Sequence, residues 1–106
     1  KLLRIIIQNL ISNAVKYTPE GGDVTITFKD FFGDKAVVVS DTGIGIPEEE
    51  QDKVFTKMFR GSNAKNIGSQ GTGLGLYLIK SIIETMGGSI EFISEENKGS
   101  TFTIKL

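Results

Sequence analysis

Asp41-Thr42-Gly43-Ile44-Gly45-Ile46-Pro47 is the stretch on which the fold turns. The β-branched run from Ala36 to Val39 just before it reads as a strand. After it, Pro47 with Glu48, Glu49 and Glu50 reads as the first turn of a short helix: proline suits the N1 position, and acids suit the positive end. An aspartate is thus presented on a glycine turn at a strand end. Glycines permit positive φ and close backbone approach, so the carboxylate can be turned into a pocket as an acceptor. A plain Asp-Thr-Gly turn remains open. So does an aspartic protease, which needs a second catalytic aspartate from another lobe or a dimer partner.

Upstream, Leu3, Ile6, Ile7, Leu10, Ala14 and Tyr17 recur at spacings of three and four, predicting an amphipathic helix over residues 2–17. Thr18-Pro19-Glu20-Gly21-Gly22 stops it. Val24, Ile26 and Phe28 alternate with polar residues and, with Ala36–Val39 across Phe32-Gly33-Asp34, predict a β-hairpin. Asn9 and Asn13 are four apart and project from one helix face, with Lys16 nearly in line. An amide oxygen beside an ammonium suits Mg²⁺ held mainly by phosphates and water. The same residues also read as a solvated helix face, and Tyr17 as a core edge or a base-stacking ring.

Downstream, Phe55 and Phe59 are i, i+4 and read as anchors for the loop that follows, with Arg60 placed to reach a phosphate or to decorate the surface. From Gly61 to Gln70 the apolar period vanishes, which predicts a polar, mobile loop. Gly71-Thr72-Gly73-Leu74-Gly75-Leu76 matches neither G-x-G-x-x-G nor the P-loop pattern. What it offers is a glycine-rich lead into a helix N-terminus, where free N–H groups favour phosphate. Leu74, Leu78, Ile79, Ile82, Ile83 and Met86 define that helix, and Gly87-Gly88 end it. Strands at Ser89–Ser94 and Ser100–Leu106 follow, with Phe102, Ile104 and Leu106 expected on one face. The order predicts an α/β (α+β) two-layer sandwich, helices on one face of a mixed, largely antiparallel sheet.

At 106 residues the chain supports a single domain. It has no cysteine, which excludes a thiolate metal site and a disulfide scaffold. A net charge of −1 without a basic tract disfavours nucleic acid. The first residues lack a signal-peptide layout, and no apolar run is long enough to span a bilayer. There is also no histidine.

Taken in order, these segments resemble the catalytic and ATP-binding domain of bacterial two-component sensor histidine kinases. That domain belongs to the superfamily of gyrase, Hsp90, histidine kinase and MutL ATPases. The likeness rests on an asparagine box at 9–17, glycine boxes at 41–46 and 71–76, a phenylalanine box at 55–60, and the Gly88-Ser89-Ile90 and Gly99-Ser100-Thr101-Phe102 strands. It implies a Bergerat-type fold over residues 1–106, with ATP and Mg²⁺ as cofactors and a flexible lid at about 48–70. Asn13 would ligate Mg²⁺ with Asn9 beside it. Lys16 and Arg60 would contact phosphates, and Tyr17 would pack near the adenine. Asp41 would accept from the adenine amine, on a wall shaped by Gly43, Gly45 and Ile46. Gly71, Thr72, Gly73, Leu74, Gly75 and Leu76 would line the triphosphate, and Ser100 would make a water-mediated adenine contact.

Hydrolysing members carry a glutamate base four residues before the metal asparagine. Here that position is Asn9, a neutral amide unable to take a proton usefully, which shifts the expectation from hydrolysis to phosphotransfer. Thr56 and Met58 depart from the family's acidic and aromatic residues and bear on lid docking. The implied partners are a histidine-containing dimerisation domain and a response regulator receiver domain. The domain itself would be a cytoplasmic monomer without membrane contact, in a parent kinase that is itself membrane-anchored in one version of the reading. A serine kinase of the anti-sigma-factor type and a non-catalytic ATP-binding interaction module remain as alternatives.

Overall fold

The structure, a computed structural model, describes residues 2–56 and 75–106. Helix α1 (Leu2–Lys16) leads into strands β1 (Val24–Phe31) and β2 (Asp34–Asp41). A 3-10 helix (Glu48–Lys53) follows, then α2 (Gly75–Thr85), β3 (Ser89–Glu95) and β4 (Gly99–Lys105). The described strands form one sheet in the order β1-β2-β4-β3, every neighbouring pair antiparallel. The expected mixed character of the sheet therefore does not extend to these four strands.

Strand parity sends alternate side chains to opposite faces. One face carries Val37 and Val39 of β2, Ile104 of β4 and Ile90 of β3, which pack with Ile6, Leu10 and Ala14 of α1 and with Ile79 and Ile83 of α2. Ile6, Leu10 and Ala14 are spaced by four, so a single stripe of α1 faces the sheet. The stripe is narrower than the periodicity suggested: Leu3, Ile7 and Tyr17 are only half-buried. Leu78 on α2 and Met86 just past its end are exposed, because Ile79 and Ile83 occupy the side that meets the sheet. Leu106 lies beyond the end of β4 and is exposed, so it does not join Phe102 and Ile104 in the core. On edge strand β1 the inward parity persists, yet Ile26 and Phe28 stay exposed.

The element ends follow local chemistry. Thr18 Oγ1 donates to the Ala14 carbonyl at 2.6 Å, closing α1. The α2 helix ends in a paired closure: the Gly87 N–H donates to Glu84 O and the Gly88 N–H to Ile83 O, each at 3.0 Å. Pro47 precedes its helix instead of opening it; its ψ of 137° is extended, and the turn that follows is 3-10 and not α. Val54 is buried, and the Phe55 ring meets Phe92 edge-on at 5.7 Å between centroids. Phe92 in turn stacks on Phe102 at 5.4 Å. Phe55 thus anchors the segment as expected; Phe59, the lid beyond position 56 and Met58 lie outside the described residues. Among the described residues no helix is long and apolar enough to cross a membrane.

Candidate functional site

The site is assembled where the end of α1 meets the turn after β2. The Ile44 N–H donates to the Tyr17 carbonyl at 3.1 Å. A Cβ at position 43 would strike that same carbonyl, so only glycine lets the turn seat against the helix end. Gly45 has φ +68, and a Cβ there would overlap the Glu95 carbonyl. The two glycines thus bring the turn against α1 on one side and the β3–β4 hairpin on the other. A further bond, from the Asn97 N–H to the Ile44 carbonyl at 2.7 Å, locks the second contact.

Between these contacts stands Asp41, half-buried at the end of β2. Its Oδ1 accepts from the Gly43 N–H at 2.9 Å and from the Ser100 N–H at 3.2 Å. One oxygen is therefore fixed by two backbone donors, while no described residue donates to Oδ2. A carboxylate held this way has one free, oriented acceptor. Asp41 and Ser100 are cross-strand partners, as are Ser100 and Ser94, so the three share one row across the sheet. Ser100 is buried, with 9% of its surface exposed.

A second set of bonds secures the exit of the turn. The Ile46 N–H donates to Ser94 Oγ at 2.8 Å, and Gln51 Nε2 donates to the Ile46 and Ser94 carbonyls, both at 3.0 Å. Ser94 Oγ also donates to the Gly99 carbonyl at 3.2 Å and shares a 2.8 Å hydrogen bond with Ser100 Oγ. Neither Ser94 nor Gln51 was singled out in the sequence. For Ser94 the signal was present: strand parity puts it on the inward face with Ile90 and Phe92, where a polar residue needs a partner.

On α1, Asn13 is half-buried and Lys16 exposed, its ammonium 5.6 Å from the centre of the Tyr17 ring. Tyr17 is half-buried and joined to the turn through its carbonyl. Asn9, one turn back, is exposed, and its Nδ2 donates to the Ile5 carbonyl at 2.8 Å. Gly75 opens α2 on the surface, and a Cβ there would meet no described residue within 4 Å; the next residue, Leu76, packs against the core. Arg60, Gly71, Thr72, Gly73 and Leu74 lie outside the described residues.

A cavity of about 450 Å³ is lined by Ile46, Gln51 and Ser94 and by Glu48, Glu49, Glu95 and Glu96. Four carboxylates make it a poor seat for a polyanion. The neutral and basic groups, Asn13 and Lys16, sit on α1, which meets the turn at Tyr17.

Comparison with known proteins bears on this arrangement. The family described as "Histidine kinase-, DNA gyrase B-, and HSP90-like ATPase" matches residues 1–106. Sensor-like histidine kinase SenX3 of Mycolicibacterium smegmatis is 41% identical over 105 residues, 99% of this chain and 27% of that protein. Sensor protein SrrB of Staphylococcus aureus is 44% identical over 101 residues, 95% of this chain and 17% of that protein. The chain thus spans about a quarter or less of these relatives' lengths. Among solved structures, the mycobacterial sensor histidine kinase MprB superposes with a TM-score of 0.83 at 29% identity, covering 95% of this chain and 68% of that one. Full-length ShkA, solved in complex with AMPPNP, superposes with a TM-score of 0.79 at 30% identity, covering 98% of this chain and 21% of that one. With the whole sequence matched and the sheet shared, the chain belongs to the histidine kinase-, DNA gyrase B- and HSP90-like ATPase family.

Proposed function

We propose that residues 1–106 form the ATP-binding catalytic unit of a sensor histidine kinase, which holds Mg-ATP and passes its γ-phosphate to a histidine outside these residues. The observation that carries the reading is Asp41, with Oδ1 tied to two backbone N–H groups and Oδ2 left to accept. An exocyclic amine on a purine is a donor of the right kind. ShkA, which shares this fold at 30% identity, was solved with AMPPNP, which supports an adenine nucleotide here.

The donor set fits a metal that arrives on its nucleotide. Among the described residues, no group of three or more acidic, histidine or cysteine side chains converges to cage an ion. Asn13 offers a neutral oxygen beside the Lys16 charge, which suits Mg²⁺ coordinated mainly by phosphate oxygens and water. Bound there, the ion would neutralise triphosphate charge. Lys16 would add to that, with Arg60 and the segment 71–76 completing the phosphate contacts. Asn9 cannot serve as a base for water, so positioning for transfer dominates.

Residues 1–106 contain no histidine, so the phosphate acceptor lies outside them, on a histidine-bearing dimerisation domain, with a receiver domain to take the phosphate next. Incubation with labelled ATP and such a domain tests the assignment. Acid-labile, base-stable label on the partner is the expected result. Acid-stable label would instead mark a serine kinase.

A further inference from the structure

Ser94 carries a hydroxyl whose hydrogen-bonding capacity is fully used. A serine hydroxyl has one proton and two lone pairs. The Ile46 N–H can only donate and takes one lone pair; the Gly99 carbonyl can only accept and takes the proton; Ser100 Oγ meets the remaining one. These three partners belong to two different pieces of the site, the glycine turn and the start of β4. Ile46 is the exit of the glycine turn, Gly99 is the first residue of β4, and Ser100 is the residue whose N–H holds Asp41 Oδ1.

Gln51 closes the same junction from the other side. Its two amide hydrogens go to the Ile46 and Ser94 carbonyls, so Ile46 is held at both its N–H and its C=O. Gly43 and Ser100, the two donors to Asp41 Oδ1, sit on the turn and on β4 respectively. Fixing the turn against β4 therefore fixes the angle at which Oδ2 is presented. We infer that Ser94 is a positioning residue for base selection: it ties the glycine turn to the start of β4 and so aims the Asp41 carboxylate. This rests on the reading of Asp41 as the acceptor for the base amine.

A residue that merely supports the fold would weaken all nucleotides alike. One that aims Asp41 would weaken selectively those that offer an amine. The test is the affinity of the 106-residue chain for ATP and for inosine triphosphate, which carries a carbonyl in place of the amine. Measurements cover the native chain, Ser94→Ala, Ser94→Thr, and Ser94→Ala combined with Asp41→Asn. The native chain should prefer ATP. Ser94→Ala should cut the ratio of the two affinities roughly tenfold, the scale of one well-placed hydrogen bond to a charged group. Ser94→Thr, which keeps the hydroxyl, should hold the ratio within about threefold of native. With Asn at position 41, Ser94→Ala should not change the ratio further. A parallel loss of both nucleotides in Ser94→Ala, with the ratio intact, overturns the inference and leaves the Asp41 reading standing. A native chain indifferent between the nucleotides overturns the Asp41 reading itself, and the inference with it.

Discussion

Gly45 lies so close to Glu95 that a Cβ on the first would overlap the carbonyl of the second. This contact joins the turn after β2 to the β3–β4 hairpin, and Asp41 is aimed from within that junction. Gly45→Ala combines a left-handed backbone with a backbone clash and should cost about 2 kcal/mol or more in urea unfolding. Gly21, at φ +90 with open space around it, is the control: Gly21→Ala should cost only about 1 kcal/mol. Equal losses at the two positions would contradict the close packing.

Gly75 separates stability from binding. A Cβ there meets no described residue within 4 Å, and alanine is the better helix former. Gly75→Ala should keep or raise the melting temperature, with a gain of at most about 1 kcal/mol. If phosphates approach the start of α2, the same change should weaken ATP binding severalfold. A variant that is equally stable and binds ATP as the native chain does would remove Gly75 from the phosphate site.

The β1–β2 turn carries local strain away from the site. Phe32 has φ 52 and Gly33 φ 91, a two-residue hairpin loop in which both central residues are left-handed. Phe32 is fully exposed and has no packing to offset that conformation. Phe32→Asn should stabilise the chain by about 1 kcal/mol without changing nucleotide affinity. Thermal unfolding checks the first part and calorimetric titration the second.

Much of this architecture is legible in the sequence. The period of α1 picked out Ile6, Leu10 and Ala14 because a helix against a sheet buries one stripe, and the alternation in β1 and β2 set the hairpin. Leu78, Met86 and Leu106 are apolar yet exposed for a physical reason: apolarity marks a candidate for burial, and only the neighbouring elements decide which candidates are covered. Asp41 was legible because aspartate followed by Gly43 and Gly45 has a backbone signature. Its true restraint was not, since the Ser100 N–H is 59 residues away in sequence. The same holds for Gln51, whose partners Ile46 and Ser94 are joined only by folding.

Asn9 bears on the choice between transfer and hydrolysis. Its amide points back along α1 to Ile5, a bond a carboxylate cannot make. Asn9→Glu frees that side chain and supplies a base one turn from Asn13. The expected result is at least a tenfold rise in ATP hydrolysis, short of the roughly hundredfold or more that a fully positioned base contributes. An unchanged rate would mean that the absence of a carboxylate at position 9 is not what limits water attack.

Asp41→Asn tests the central claim most directly. The amide oxygen of asparagine can still accept from Gly43 and Ser100, so the turn should survive and thermal stability should change little. The other atom becomes a donor facing the base amine, which is itself a donor. Calorimetric titration with Mg-ATP should show affinity lowered on the order of tenfold to a hundredfold. Native affinity in a folded Asp41→Asn chain would contradict the account.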